Sequence, residues 1–252
     1  MRNAALITGA GRARGIAAAV ARALARDGWD LALTAWRPYD RSTSWGGAPA
    51  DDLVDELRSL GAEAAFTEED LADPVAPARL FDFAEASVGP PRALVNAHAY
   101  SRLGGLLATT VDDFDQHMAV NARATLLLSA EFVRRRSGEG GPGRIVNFTS
   151  GLPLQGEIAY AASKGAIEWI TVSAAAEVAR NGITVNAVDP GPNDTGWMAP
   201  EQHAAVGTAS PPGRVGTPAD AAELVAWLCS ERAGWVTGQV IHCDGGWSNL
   251  RG

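Results

Sequence analysis

Short apolar runs alternate with amphipathic stretches along the whole chain, and this alternation restricts the fold more than any other feature. A run buried on both sides belongs to a parallel strand, and the amphipathic stretch after it supplies the helix that covers it. Strand-like runs occur near Ala4 to Thr8, Asp30 to Thr34, Ala64 to Thr67, Ala93 to Asn96, Arg144 to Phe148, Thr184 to Val188 and Gly238 to His242. They predict an α/β fold, a doubly wound parallel sheet of about seven strands with helices on both faces. The 252 residues suffice for one core, with no repeat or linker, so a single domain over 1–252 is expected.

Composition narrows the function. The formal charge of -8 argues against a nucleic-acid surface. The one basic run, Arg134-Arg135-Arg136, ends a helical pattern and reads as solvated capping. Cys229 and Cys243 are far apart and His98, His117, His203 and His242 are scattered, so reduced thiols and no protein-bound metal are expected. No apolar run is long enough to cross a membrane, and the chain starts directly in strand-like Ala4-Ala5-Leu6-Ile7 without the regions of a signal peptide. A cytoplasmic protein is expected.

The first strand runs into Gly9-Ala10-Gly11-Arg12-Ala13-Arg14-Gly15-Ile16 and then an alanine-rich helix. Strand, glycine turn and helix in that order let a pyrophosphate approach the backbone and meet free amides at a helix N-terminus. The second strand ends at Ala35-Trp36-Arg37, where a dinucleotide fold meets the adenosine ribose; with no acid there, Arg37 and Arg12 suit a 2′-phosphate, so NADP(H) is expected over NAD(H). The alternative is that Arg37 begins a surface loop running to Pro49. Asp70, before Leu71, either accepts from the adenine amino group or caps the helix starting near Pro74. Asn96 leads into the small residues Ala97-His98-Ala99, which leave room for a cofactor against the backbone.

Tyr160 and Lys164 are four residues apart in a helical stretch and share one face. Lys164 is the only lysine; every other permanent cation is arginine. A compact ammonium beside a phenol favours the phenolate and still donates to a neighbouring hydroxyl. Ser150 lies just past the fifth strand, at the edge where open parallel sheets bind ligands. Asn121 reads by itself as a buried hydrogen-bonding amide. Gly196 to Gly213, with Trp197, Met198 and several prolines, is expected to be a loop covering substrate, about 195–213 in extent.

In this order the pieces resemble the short-chain dehydrogenase/reductase family from about Ala4 to Gly246. The matching motifs are Thr8-Gly9 with the glycine turn, Asp70-Leu71, Leu94-Val95-Asn96, Asn121, Ser150, Tyr160-x-x-x-Lys164, Asn186-Ala187-Val188, Pro190-Gly191-x-x-x-Thr195 and Thr237-Gly238-Gln239 with Asp244-Gly245-Gly246. The resemblance implies a Rossmann-like fold and reversible hydride transfer between a nicotinamide and a carbonyl or secondary alcohol. It assigns Tyr160 as general acid or base, Lys164 to the ribose, Ser150 to the substrate oxygen and Asn121 to a proton-relay water. Thr8, Gly9, Gly11, Arg12, Gly15, Ile16, Asn96, Ala97, Pro190, Gly191, Asn193 and Thr195 would line the cofactor.

Departures from the family pattern are two extra residues, Ala13-Arg14, in the glycine turn, Ala17 for a glycine, His98 in the loop after the fourth strand, and a short spacing from Ser150 to Tyr160. His98 is read as a neutral packing histidine. The leading expectation is a ketone reductase similar to the 3-oxoacyl carrier-protein branch, acting on a small carbonyl or an acyl thioester. The alternatives are a secondary-alcohol dehydrogenase and a catalytically silent cofactor sensor. Helices near Asn121 to Arg136 and Ala159 to Asn181 match those through which family members form homodimers and homotetramers.

Overall fold

The computed structural model describes residues 2–43, 50–136, 141–151, 154–196 and 198–251. Strands β1 (Ala4–Thr8), β2 (Asp30–Ala35), β3 (Ala64–Glu68), β4 (Pro91–Asn96), β5 (Gly143–Phe148), β6 (Ile183–Asp189) and β7 (Val240–His242) form one sheet. Their order is β3-β2-β1-β4-β5-β6-β7 and each of these pairings is parallel. The helices are α1 (Ile16–Arg26), α2 (Arg37–Ser42), α3 (Ala50–Ser59), α4 (Ala76–Val88), α5 (Val111–His117), α6 (Ala124–Arg136), α7 (Ile158–Val178), α8 (Pro200–Ala209) and α9 (Pro218–Cys229).

The period of two in each strand sorts the core into two layers. Ala5, Ile7, Leu31, Leu33 and Val95 meet α1, α3 and α9 on one face, while Leu6, Ala32, Leu94, Ile145 and Val185 meet α4, α6 and α7 on the other. Strands β1, β5 and β6 are buried at every residue, which explains their largely apolar character, and buried polar residues among them such as Asn147 and Asn186 are hydrogen-bonded. Helix α1 turns Ala17, Ala18, Val20, Ala21, Leu24 and Ala25 inward; its many alanines let it sit close to both sheet and α9. Leu24 is fully buried, and truncating such a leucine costs about 2–5 kcal/mol.

Strand order reverses between β1 and β4, so the loops after Thr8 and Asn96 part there and leave a crevice at the C-terminal edge. Between α5 and α6 the chain forms a π-helical turn, Met118–Arg123, which carries Asn121. Such a turn widens the helix by one residue and is a frequent device for aiming a side chain.

Two expected loops are partly helical. Residues Pro200–Ala209 form α8 inside the expected substrate loop. Its prolines mark boundaries: Pro200 sits in the first turn, where a missing N–H costs nothing, and Pro211 and Pro212 follow the end. Pro38 likewise opens α2, in the stretch expected to be a loop from Arg37 to Pro49, the last six residues of which lie outside the described residues. Trp197 also lies outside them. The basic run at the end of α6 is anchored: Arg135 pairs with Glu131, Asp82 and Glu85, Arg134 with Glu131, and Arg136 donates to the Pro91 carbonyl.

Candidate active site

The glycine turn closes the crevice from the β1 side. Gly9 has φ +79, and a Cβ on it would meet the Ala97 carbonyl oxygen at 2.6 Å and the His98 backbone nitrogen at 2.7 Å. Only glycine lets the loop after β1 lie on the loop after β4. Thr8 fixes that contact, because its Oγ1 accepts from the Ala97 amide at 3.2 Å and bonds His98 Nδ1 at 2.6 Å. His98 is buried, and burial, helped by the nearby Lys164 charge, pushes its pKa down to about 3. Its imidazole is neutral, as the sequence reading expects. The widened turn closes through Gly15 N–H to the Arg12 carbonyl at 2.9 Å, with Gly15 at the N-cap of α1 and Ile16 as its first residue. The extra residue Arg14 reaches Asp194 at 3.1 Å, tying this turn to the loop after β6.

Beside the turn lies a cavity of about 300 Å³. Gly9, Arg12, Asp70, Leu71 and Ala97 line it, as do Tyr39, Asp40 and His98. Asp70 lines the cavity, and its Oδ1 accepts from Ala72 N–H at 2.8 Å. The bond stabilises the turn after β3, however, and not the N-terminus of α4. Arg37 is not among the lining residues: it pairs with Glu68 and lies 5.7 Å from the Phe66 ring centroid. Asp40 takes a place in the wall that no local pattern around it signals. Its carboxylate rests against Gly11, where any Cβ would overlap it, and burial raises its pKa against the opposing pull of Arg12.

Tyr160 and Lys164 sit together on α7 as their spacing requires. Lys164 is buried, donates from Nζ to the Phe148 carbonyl at 3.0 Å, and lies 5.5 Å from the Tyr160 ring centroid. Burial brings its pKa down to about 8. The Tyr160 phenol moves the opposite way from the sequence expectation. Burial first, then the charges of Glu157, Tyr39 and Asp189, raise it above the ordinary tyrosine value, so the protein by itself holds the phenol protonated. Asn121 is fully buried; its Oδ1 accepts from Tyr100 N–H at 2.7 Å and its Nδ2 donates to the Tyr100 carbonyl and Ser163 Oγ, both at 2.9 Å. Ser163 in turn donates to the Tyr160 carbonyl at 2.7 Å, so these bonds run from Asn121 to the backbone of Tyr160.

A second cavity, of about 370 Å³, joins Ser150 and Tyr160. Gly191, Asn193, Met198 and Trp247 are in its wall, together with three carboxylates that the sequence reading left without a role: Glu157, Asp189 and Asp244. Pairing of β6 with β7 sets Asp189 opposite His242, and Asp189 Oδ2 meets His242 Nδ1 at 2.9 Å. The one clue in the sequence was an acid directly before Pro190-Gly191 at a strand end. Asp189, His242 and Asp244 are near enough to hold a cation together, but backbone amides already occupy Asp189 Oδ1 and both oxygens of Asp244. Thr195 closes the turn after Asn193 through its amide at 2.9 Å.

The edge fits a nicotinamide dinucleotide. Asn96 Oδ1 and Asn193 Oδ1 are buried acceptors without hydrogen-bond partners among the described residues, and Gly9 and Gly11 keep side chains out of the crevice. Asn96 is oriented by its donation to Asn147 Oδ1 at 2.9 Å, and Asn193 by its donation to the Pro190 carbonyl at 2.6 Å.

Known proteins share this architecture. A family model described as enoyl-(acyl carrier protein) reductase matches residues 9–248. The uncharacterized oxidoreductase YjdA of Bacillus subtilis is 40% identical over 246 residues, 96% of this chain and 95% of that one. A short-chain dehydrogenase/reductase from Serratia marcescens superposes with a TM-score of 0.86 at 31% identity, covering 98% of both chains. A 3-oxoacyl-[acyl-carrier protein] reductase from Brucella melitensis gives a TM-score of 0.85 at 30% identity over 99% of this chain and 98% of the other. With this fold, crevice and Tyr160/Lys164 pair, the chain belongs to the short-chain dehydrogenase/reductase family and is an NAD(P)-dependent oxidoreductase.

Proposed function

We propose that residues 1–252 act as one domain that reduces a ketone to a secondary alcohol with NADPH. The observation that carries this reading is the cavity shared by Ser150 and a protonated Tyr160, with Lys164 buried behind the phenol. The reduced nicotinamide supplies the hydride when bound. Ser150 donates to the substrate carbonyl oxygen, and the Tyr160 phenol donates the proton that this oxygen acquires. Lys164 holds ribose hydroxyls and steadies the phenol as it loses its proton. Asn121 positions Tyr160 through Ser163 and orders the water that returns a proton from solvent. Gly9, Gly11, Gly15 and Ile16 receive the pyrophosphate, Asp70 and Leu71 the adenine, and Asn96, Ala97, Pro190, Gly191, Asn193 and Thr195 the nicotinamide half.

Burial and two neighbouring carboxylates oppose the phenolate that alcohol oxidation needs and suit the phenol to the proton-donor role in ketone reduction. NADP(H) is supported by Ala35 in place of an acid at the end of β2 and by Arg12 in the cavity wall. The free thiols of Cys229 and Cys243 support a cytoplasmic location, and among the described residues no helix is long and apolar enough to cross a membrane. Assembly into a homodimer or homotetramer is supported by apolar side chains exposed on α6 and α7, with Leu126 47%, Trp169 75% and Val172 42% accessible.

The test is Tyr160→Phe, assayed with a ketone panel by loss of reduced-cofactor absorbance. Turnover falls about 10²–10⁴-fold while cofactor binds as before. Undiminished turnover refutes Tyr160 as the acid, and cofactor binding without turnover of any ketone by the wild type would point to a sensor.

A further inference from the structure

We infer that Tyr39 is a positioning residue for the reduction: its phenol holds the partition between the two cavities and, through that partition, sets Asn121 and Tyr160; this rests on the reductase reading above. The partition is the segment that follows β4. Ala97, His98, Ala99 and Tyr100 line the cofactor cavity, and Ser101 lines the cavity of Tyr160. Tyr100, Ser101 and Arg102 lie outside helix and sheet, so their backbone groups need partners from elsewhere. Side chains supply them. Asn121 takes both backbone groups of Tyr100, at 2.7 and 2.9 Å, and His117 Nε2 accepts from Arg102 N–H at 3.1 Å. Between these two, the Tyr39 hydroxyl accepts from Ser101 N–H at 3.0 Å and donates to the Ser101 carbonyl at 3.1 Å, as a strand partner would.

The three side chains come from different sides. His117 ends α5 and Asn121 sits on the π-helical turn, whereas Tyr39 reaches the segment from α2, in the wall of the cofactor cavity. The Tyr39 ring lies against Tyr100 with centroids 5.2 Å apart, and Tyr100 meets His117 edge-on at 4.8 Å. Burial raises the Tyr39 pKa above the ordinary tyrosine value, so the hydroxyl keeps the proton that it donates. Two hydrogen bonds of the Asn121 amide end on Tyr100, and a third leads through Ser163 to the Tyr160 carbonyl. A shift of residues 100 and 101 therefore turns the Asn121 amide and reaches Tyr160. Without the Tyr39 hydroxyl, Ser101 loses a donor and an acceptor at once.

Tyr39→Phe keeps the ring against Tyr100 and removes both bonds to Ser101. Amide hydrogen exchange of the ligand-free protein is expected to quicken about tenfold at residues 100–102 and to stay as in the wild type across the sheet. With a ketone that the wild type reduces, kcat is expected to fall about tenfold while the Kd of NADPH, read by fluorescence titration, changes less than about twofold. The solvent deuterium isotope effect on kcat rises in the variant, because a displaced Asn121 slows the return of the proton to Tyr160; a role in the fold alone leaves it unmoved. Ser42→Ala is the control: it removes a bond to the Tyr39 carbonyl at 2.7 Å but leaves the hydroxyl in place, so kcat holds. Unchanged kcat or an unchanged isotope effect overturns the proposal, and so does a loss confined to NADPH affinity, which would make Tyr39 a contact of the adenosine. Faster exchange through the whole sheet, or an equal fall in kcat from Ser42→Ala, overturns it as well, since Tyr39 then supports the fold in general. A wild type that reduces no ketone sinks the reductase reading instead, and the exchange rates of residues 100–102 still decide whether Tyr39 holds the partition.

Discussion

The two cavities share one sheet edge but are built from different materials. On the cofactor side two close backbone approaches set the shape, with Gly9 against the Ala97 carbonyl and Gly11 leaving room for Asp40, while larger side chains such as Arg12, Trp36, Tyr39 and Tyr100 complete the wall and the charges of Arg12 and Asp40 offset each other. On the substrate side the walls are side chains from β6, β7, the start of α7 and the C-terminal turn, and their carboxylates outnumber their bases. A dinucleotide is recognised by close approach of main chain, which tolerates little change. A substrate is recognised by charge and shape, which surface residues vary freely.

If the cofactor side is main-chain recognition, the largest effect comes from adding one methyl group. Gly9→Ala is expected to destabilise by about 3 kcal/mol or more, through its positive φ and the backbone overlap, and to abolish cofactor binding. Gly89→Ala is the control, with φ +91 but open space around a Cβ, and is expected to cost about 1 kcal/mol. Urea denaturation and cofactor titration of both read the difference; equal costs would break the contrast.

Lys164, buried behind Tyr160, tests what burial of a charge costs. Its folded pKa of about 8 lies below the ordinary 10.5, so between these values the unfolded chain holds more protons and stability rises with pH across the window. Lys164→Met removes that slope and, even after loss of the bond to Phe148, is expected to gain about 1–3 kcal/mol at pH 7 while turnover collapses. Denaturation at pH 7 and pH 10 checks both; a less stable Lys164→Met would mean that the ammonium is compensated where it lies.

The smallest effect sharpens the cofactor side alone. Arg12→Ala is expected to weaken 2′,5′-ADP relative to 5′-AMP about tenfold, and Arg37→Ala less than about twofold, because Arg37 is held by Glu68. Fluorescence titration gives the two ratios, and a larger loss for Arg37 would show that its pair with Glu68 opens.

Much of this was legible in the residue order. Helical spacing placed Tyr160 beside Lys164, and the run from Thr8 to Ile16 announced the crevice, because both are local patterns. The α8 helix was hidden by prolines that read as loop punctuation yet mark its two ends. Arg37 was misplaced because its carboxylate partner comes from another strand, and Asp40 was overlooked because nothing near it in sequence signals burial against Gly11.

The sequence by itself determined the sheet, the glycine crevice and the pair on α7, since periodicity, positive-φ glycine and i,i+4 spacing act over a few residues. Only the tertiary structure decided which charges face the reacting groups. It raised the Tyr160 phenol rather than lowering it, set Asp189 against His242 and brought Glu157 to the same wall. Electrostatic energies depend on distance and burial, and both are fixed only when strands far apart in the chain come to lie side by side.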